Sequence, residues 1–268
     1  MINKKNIYFI HANGYPANAY SRLFIKIQKT YHINHFNLVS NNIDINNLKN
    51  WDPFHKNFIN NVKKNQNNIG IGHSIGGNLI LRSAISHPNL FSKIILLDPT
   101  LFIPRFILFW KLIKLTRLDD YFHPLSKKTL NRKMTYDSYD SIFKSYRKKN
   151  VFKYINNENL KIYINSITKI NKDKSLDITF PKKWEYKIYK TGISEDNYIW
   201  KNIKNIEIPT LIIRAKESNT FFESAEKKIN RINNKNIEIE AMAVVIINVI
   251  IEIIKQLVSV LLITSNVK

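Results

Sequence analysis

The chain contains no cysteine, which excludes disulfides, thiol catalysis and cysteine-ligated metals. Acidic residues are also scarce: 20 Asp and Glu stand against 42 Lys and Arg, a formal net charge of +22. Such a balance attracts nucleic acid and anionic surfaces without specificity. The basic residues do not gather into a recognition motif, however. Pairs such as Lys63–Lys64, Lys127–Lys128 and Lys148–Lys149 are scattered among asparagines. Lys, Asn and Ile are abundant throughout, as AT-rich codon usage produces, so no specific nucleic-acid partner is expected. The N-terminal apolar run Ile7-Tyr8-Phe9-Ile10 is too short for a signal-peptide core, and a cytoplasmic location is the expectation. Histidine is missing from a whole region: none of the seven lies beyond His123.

What is present has a rhythm. The 268 residues suit one large domain, or a domain carrying an insertion. Short β-branched apolar runs recur at 7–10, 33–38, 69–71, 94–97, 211–213 and 237–239, most followed by turn residues and a helix-like stretch. This alternation implies an α/β fold with a mostly parallel sheet of about six strands and helices on both faces. Sites in such sheets form in the loops at the carboxyl ends of strands. Four loops fall there: "HANGYP" (11–16), "GHSIGG" (72–77), "DPT" (98–100) and "AKESNT" (215–220). Between Pro99 and about Ile208 the rhythm stops. That segment is aromatic and basic, as in "FIPRFILFWKLIKL" (102–115) and "SYRKKNVFKYI" (145–155), with no repeat and no Gly/Ser linker. It reads as an inserted helical lid over 101–200, dividing a core made of 1–100 and 201–268.

Gly72-His73-Ser74-Ile75-Gly76 matches G-x-S-x-G, the sharp strand-to-helix turn that presents a nucleophilic serine. Small residues are needed at Gly72 and Gly76 because the turn is strained and brings strand and helix backbones close. The following helix, from Ile75 to about Ser86, directs its N-terminal amides at developing negative charge. In "HANGYP", Gly14 allows close approach to a substrate, and a backbone N–H of Tyr15 or Asn13 is the candidate second donor. His11 is expected to brace that loop by hydrogen bonding. His73 faces away from Ser74, because neighbours on an extended backbone point to opposite sides.

Taken in order, "YFIHANGYP", "WDPF", "GIGHSIGG", "IILLDP" and "IPTLIIRAKESNTF" resemble the α/β-hydrolase superfamily, in its branch of lidded esterase-like and epoxide-hydrolase-like proteins. The resemblance covers most of the chain. It implies a Ser–acid–His triad and an oxyanion hole built from a first-motif amide and the amide after the serine, here that of Ile75. A serine at the elbow, where an aspartate would imply epoxide or haloalkane chemistry, implies hydrolysis of an ester or similar acyl bond. No metal and no organic cofactor is implied.

The acid and the base are less complete. Asp98 ends the strand after the elbow helix. The other customary acid position falls in "AKESNT", which offers only Glu217, and Asp98 is preferred. Relatives carry the histidine after the last strand, but residues 234–268 contain none. Three explanations stand: a C-terminus truncated or shifted in frame, a hydrolase fold retained for binding, or His123 reaching in from the lid. The apolar run 241–263 carries a polar stripe of Asn248, Glu252, Lys255, Gln256 and Ser259, which suits a packed amphipathic helix better than a membrane span. The lid stretch 106–115 is the better candidate for weak membrane-surface contact, with packing into the lid its preferred role. The expectation is a serine hydrolase acting on a small, apolar substrate and impaired for want of its histidine. The alternative is a non-catalytic protein binding a small apolar ligand.

Overall fold

The computed structural model describes residues 4–63, 67–116, 126–192 and 196–242. The chain opens with β1 (Lys5–Ile10), α1 (Ser21–Ile27), β2 (Tyr31–Phe36) and α2 (Asp52–Asn61). It continues through β3 (Ile69–His73), α3 (Ile75–Ser86) and β4 (Lys93–Leu97). The inserted segment then holds α4 (Pro104–Leu115), α5 (Ser126–Leu130), β5 (Thr135–Tyr136), α6 (Tyr139–Arg147), α7 (Asn157–Ile167), β6 (Thr168–Ile170), β7 (Leu176–Ile178), α8 (Lys182–Thr191) and α9 (Asn197–Asn202). The rhythm resumes with β8 (Thr210–Ala215), α10 (Glu223–Ile232) and β9 (Ile237–Met242).

Six strands form one sheet in the order β2-β1-β3-β4-β8-β9, and every pairing in it is parallel. Burial follows position. All residues of the central β3 and β8 are buried, whereas the edge strands β2 and β9 mix buried or half-buried residues with exposed ones. That is why Ile-Gly-Ile-Gly reads as an unbroken apolar run while Ile237-Glu238-Ile239-Glu240 alternates. The period of two splits the core between the faces. Ile7, Phe9, Ile71, Ile95 and Ile213 pack with Leu23, Phe24 and Ile27 of α1. Tyr8, Ile10, Ile94, Leu96 and Ile212 pack with Phe54 and Phe58 of α2, Leu79 and Ile80 of α3 and Ile229 of α10.

Two expectations need correction. The second strand covers 31–36 and not 33–38: the Leu38 N–H leaves the ladder to donate to His11 Nε2 at 3.3 Å. The insertion is not wholly helical either. It contains a three-stranded sheet, β5-β7-β6, with antiparallel pairings. The turn between β6 and β7 has no glycine, so its sequence hides it. Lys174 takes the left-handed conformation at φ 68°, and Asp173 Oδ1 accepts from the Ser175 N–H at 3.0 Å.

The insertion has a core of its own, in which Tyr146, Leu160, Ile164 and Ile178 pack. It is tied to the sheet layer by long-range bonds. Arg22 of α1 pairs with Glu158 of α7, and the Trp51 Nε1–H donates to the Ile188 carbonyl at 3.1 Å. No helix among the described residues is long and apolar enough to cross a membrane. His123 and nearly all of the run 241–263 lie outside the described residues.

Candidate active site

Ser74 stands between β3 and α3 with φ 55° and ψ −117°. A side chain in this region is strained, and the surroundings hold it there. The Ser74 N–H donates to the Leu97 carbonyl at 3.0 Å, continuing the β3–β4 ladder one residue further. Its carbonyl accepts from the Asn78 N–H at 3.1 Å and the Thr100 N–H at 3.0 Å. The glycines on either side are spatial requirements. A Cβ on Gly72 would lie 2.2 Å from the Gly76 carbonyl oxygen, and one on Gly76 would lie 2.1 Å from that of Ile10. The first turn of α3 is thereby pressed onto the end of β1, where the 11–16 loop begins. Its leading N–H groups have no partners within the helix and carry the positive end of its dipole.

The 11–16 loop folds back on itself. Gly14 adopts φ 75°, and the Tyr15 N–H donates to the Ala12 carbonyl at 3.1 Å. The Tyr15 amide is therefore committed to closing the turn. The Asn13 side chain donates to the Glu185 carbonyl at 2.9 Å, and the Tyr163 hydroxyl donates to the Gly14 carbonyl at 3.1 Å. A Cβ on Gly14 would meet the Glu185 carboxyl at 3.3 Å. Glu185 is itself paired with Arg132, so α8 presses a buried ion pair against the loop. Burial pushes the Glu185 carboxyl above its usual range, with Arg132 pulling the other way.

Two histidines sit close in sequence to these loops, and both are engaged elsewhere. His11 Nδ1–H donates to the Ala12 carbonyl at 2.8 Å, and Nε2 accepts from Leu38. His73 Nδ1 shares a 2.7 Å hydrogen bond with the Tyr20 hydroxyl. Burial lowers the pKa of both, that of His73 to about 3, so both rings are neutral near pH 7. The side-chain partner of Ser74 Oγ is instead Thr100 Oγ1, at 3.1 Å.

Asp98 is buried at the end of β4, in another left-handed conformation with φ 43°. Its carboxylate is turned toward the loop after β8. Oδ1 accepts from the Ala215 N–H at 3.1 Å, while Oδ2 accepts from the Ser218 hydroxyl at 2.8 Å and the Thr220 hydroxyl at 3.1 Å. Burial raises its pKa to about 6 against the pull of these three donors. Glu217, the other acid considered, is exposed. The loop that would otherwise supply the acid thus supplies hydroxyl donors to Asp98.

Sequence reasoning missed the groups that fix the 98–102 loop. Asn78 Nδ2 donates to the Thr100 carbonyl at 2.8 Å and to Asp196 Oδ1 at 2.6 Å. Asp196 Oδ2 accepts from the Phe102 N–H at 2.7 Å. An asparagine amid the apolar residues of α3 was a visible signal; nothing marked Asp196. Among the described residues no three His, Asp or Glu side chains are placed to hold a metal.

No protein-family model matches the chain, and no curated protein matches its sequence. Solved structures do resemble it. The structure of E-2-(acetamidomethylene)succinate hydrolase superposes with a TM-score of 0.70 at 14% identity, covering 96% of this chain and 91% of that one. MenH from S. aureus gives 0.70 at 17% identity, over 98% and 95% of the two chains. The thioesterase domain from the curacin biosynthetic pathway gives 0.70 at 15% identity, over 97% and 91%. At such identities the likeness is one of fold.

Proposed function

This chain has the α/β-hydrolase fold, and on that premise we propose that Ser74 is the nucleophile of a serine hydrolase acting on an ester or similar acyl bond of a small apolar substrate. The observation that carries the reading is the strained backbone of Ser74 at the N-terminus of α3, held by bonds to the end of β4 and to the loop that follows it. Ser74 Oγ attacks the acyl carbon, and the oxygen that becomes negative is received by the N–H groups of Ile75 and Asn13. The alcohol leaves, and water releases the acyl group from the serine. Asp98 is the triad acid, and the 101–200 insertion serves as the lid. Phe102, Phe106 and Phe222 lie with ring centroids 5.0 to 6.2 Å apart beside the 98–102 loop and support an apolar substrate.

The step that fails is removal of the serine proton. The hydroxyl of Thr100 is no base at neutral pH, and no histidine follows His123 in the sequence. The protein is therefore an impaired hydrolase, with residual catalysis on the order of 10³ to 10⁴ over water from the oxyanion hole and binding. The same observations favour, as the second reading, a hydrolase fold that binds a small apolar ligand without turnover.

A fluorophosphonate probe and short p-nitrophenyl esters test the proposal on the full chain, with Ser74→Ala and His123→Ala variants. Slow labelling abolished by Ser74→Ala, with ester turnover near background in the parent and in both variants, is the expected result. Labelling that survives Ser74→Ala would refute the nucleophile. Brisk turnover lost in both variants would make His123 the base and end the impairment reading. Absence of any labelling would favour the binding protein.

A further inference from the structure

Among the described residues, nothing covers one side of the helix α4. Ile107, Trp110 and Ile113 are buried in the main apolar core, with Ile199 and Trp200 of α9, and account for its packing. Leu108, Phe109, Leu112 and Leu115 are 62%, 57%, 55% and 79% exposed. At about 100° per residue, Leu108, Leu112 and Leu115 form one line along the helix, with Phe109 to one side. Arg105 and Lys111, both exposed, flank that line on opposite sides. The helix "PRFILFWKLIKL" contains no acidic residue. Phe222, 38% exposed, extends the apolar surface beside Phe106, with ring centroids 6.2 Å apart.

A contiguous apolar stripe on a helix surface is unusual for a protein surrounded only by water. Here it is bordered by cations, on a chain whose formal net charge is +22. An apolar line between basic flanks fits the boundary of an anionic bilayer: the leucines enter the acyl region while Arg105 and Lys111 remain among the head groups. A second copy of this chain fits worse, because pairing two such faces would bring like charges together on a strongly basic protein.

We propose that α4 docks on anionic membrane surfaces through Leu108, Phe109, Leu112 and Leu115, with Arg105 and Lys111 meeting the lipid phosphates. The helix begins six residues after Asp98, so docking sets the 98–103 loop close to the lipid. The inference is independent of the role proposed for Ser74.

Co-sedimentation of the full chain tests it, with vesicles of phosphatidylcholine mixed with phosphatidylglycerol and of phosphatidylcholine alone. Binding to the mixed vesicles, weaker on the neutral ones and reduced by salt, is expected. The double variant Leu108→Ser/Leu112→Ser alters only exposed positions, and its circular dichroism checks the fold. Its affinity should fall more than about tenfold. In Phe109→Trp the new indole is the exposed one, since Trp51, Trp110 and Trp200 are buried and Trp184 is half-buried, and its emission should shift to the blue on mixed vesicles. Unchanged binding by the double variant would mean that charge alone attracts the protein and would overturn the proposal. So would absence of binding, or a dimer in solution that the double variant dissolves.

Discussion

Replacing Gly76 by alanine tests the contact on which the elbow depends. In an ordinary helix this change stabilises by about 1 kcal/mol. Here the added Cβ would lie 2.1 Å from the Ile10 carbonyl oxygen, 2.6 Å from its carbon and 3.0 Å from the His11 carbonyl oxygen. All three atoms are backbone, and ordinary contact begins near 3.4 Å, so helix and strand must separate by more than 1 Å. Neither can yield easily. Ile10 is registered against Phe36 on one side and Gly72 on the other, and α3 is anchored by buried Leu79 and Ile80. Overpacking costs about 1–3 kcal/mol, and a rigid site stands at the upper end. Set against the helix preference, the net loss is about 2 kcal/mol. For a chain of this size that lowers Tm by roughly 4–8 °C. Thermal unfolding followed by circular dichroism measures it. Gly77→Ala serves as comparison and should lose less, because its nearest neighbour is the Pro99 side chain at 2.8 Å. A Gly76→Ala protein that melts at or above the parent would refute the close approach of α3 to β1.

Asp98→Asn probes the buried carboxyl. Its folded pKa, about 6, lies above the ordinary value of 3.8, so its favourable contribution is complete below about pH 4 and is lost as pH rises through 6. The variant should therefore gain on the parent by up to about 3 kcal/mol between pH 4 and pH 7.5, read from urea midpoints; a constant difference would refute the assignment. Arg132→Met leaves the Glu185 carboxylate, 12% exposed, without its cation, at a cost of about 3 kcal/mol near neutral pH. Because burial already raises the Glu185 pKa, acidification should neutralise the carboxyl and shrink the loss. An equal loss at pH 5 and pH 8 would assign the effect to packing instead.

The sheet and the elbow were legible because their causes are local. A strand buried on both faces must be apolar at successive positions, as Ile94-Ile95-Leu96-Leu97 is, and the six runs each became a strand of the main sheet. The elbow helix runs from Ile75 to Ser86, and its glycines sit where a Cβ cannot. The β6–β7 hairpin was not legible, since a lysine fills the left-handed position that glycine or asparagine usually marks. The surroundings of Ser74 were legible only in part. Asp98 and Thr100 stood in a recognised loop, but that Thr100 would meet the serine hydroxyl follows from how β4 ends against α3. Ser218 and Thr220 turn toward Asp98 across 120 and 122 residues, and Asp196 reaches Asn78 across 118. Glu185, which leans on Gly14, comes from a helix of the insertion. By itself the sequence determined the strands of the main sheet and the turn at Ser74, because a turn, a strand and a helix start each leave a mark within a few residues. Only the tertiary structure decided which polar groups meet, because buried donors and acceptors must be satisfied by whatever the packing brings near, at any distance along the chain.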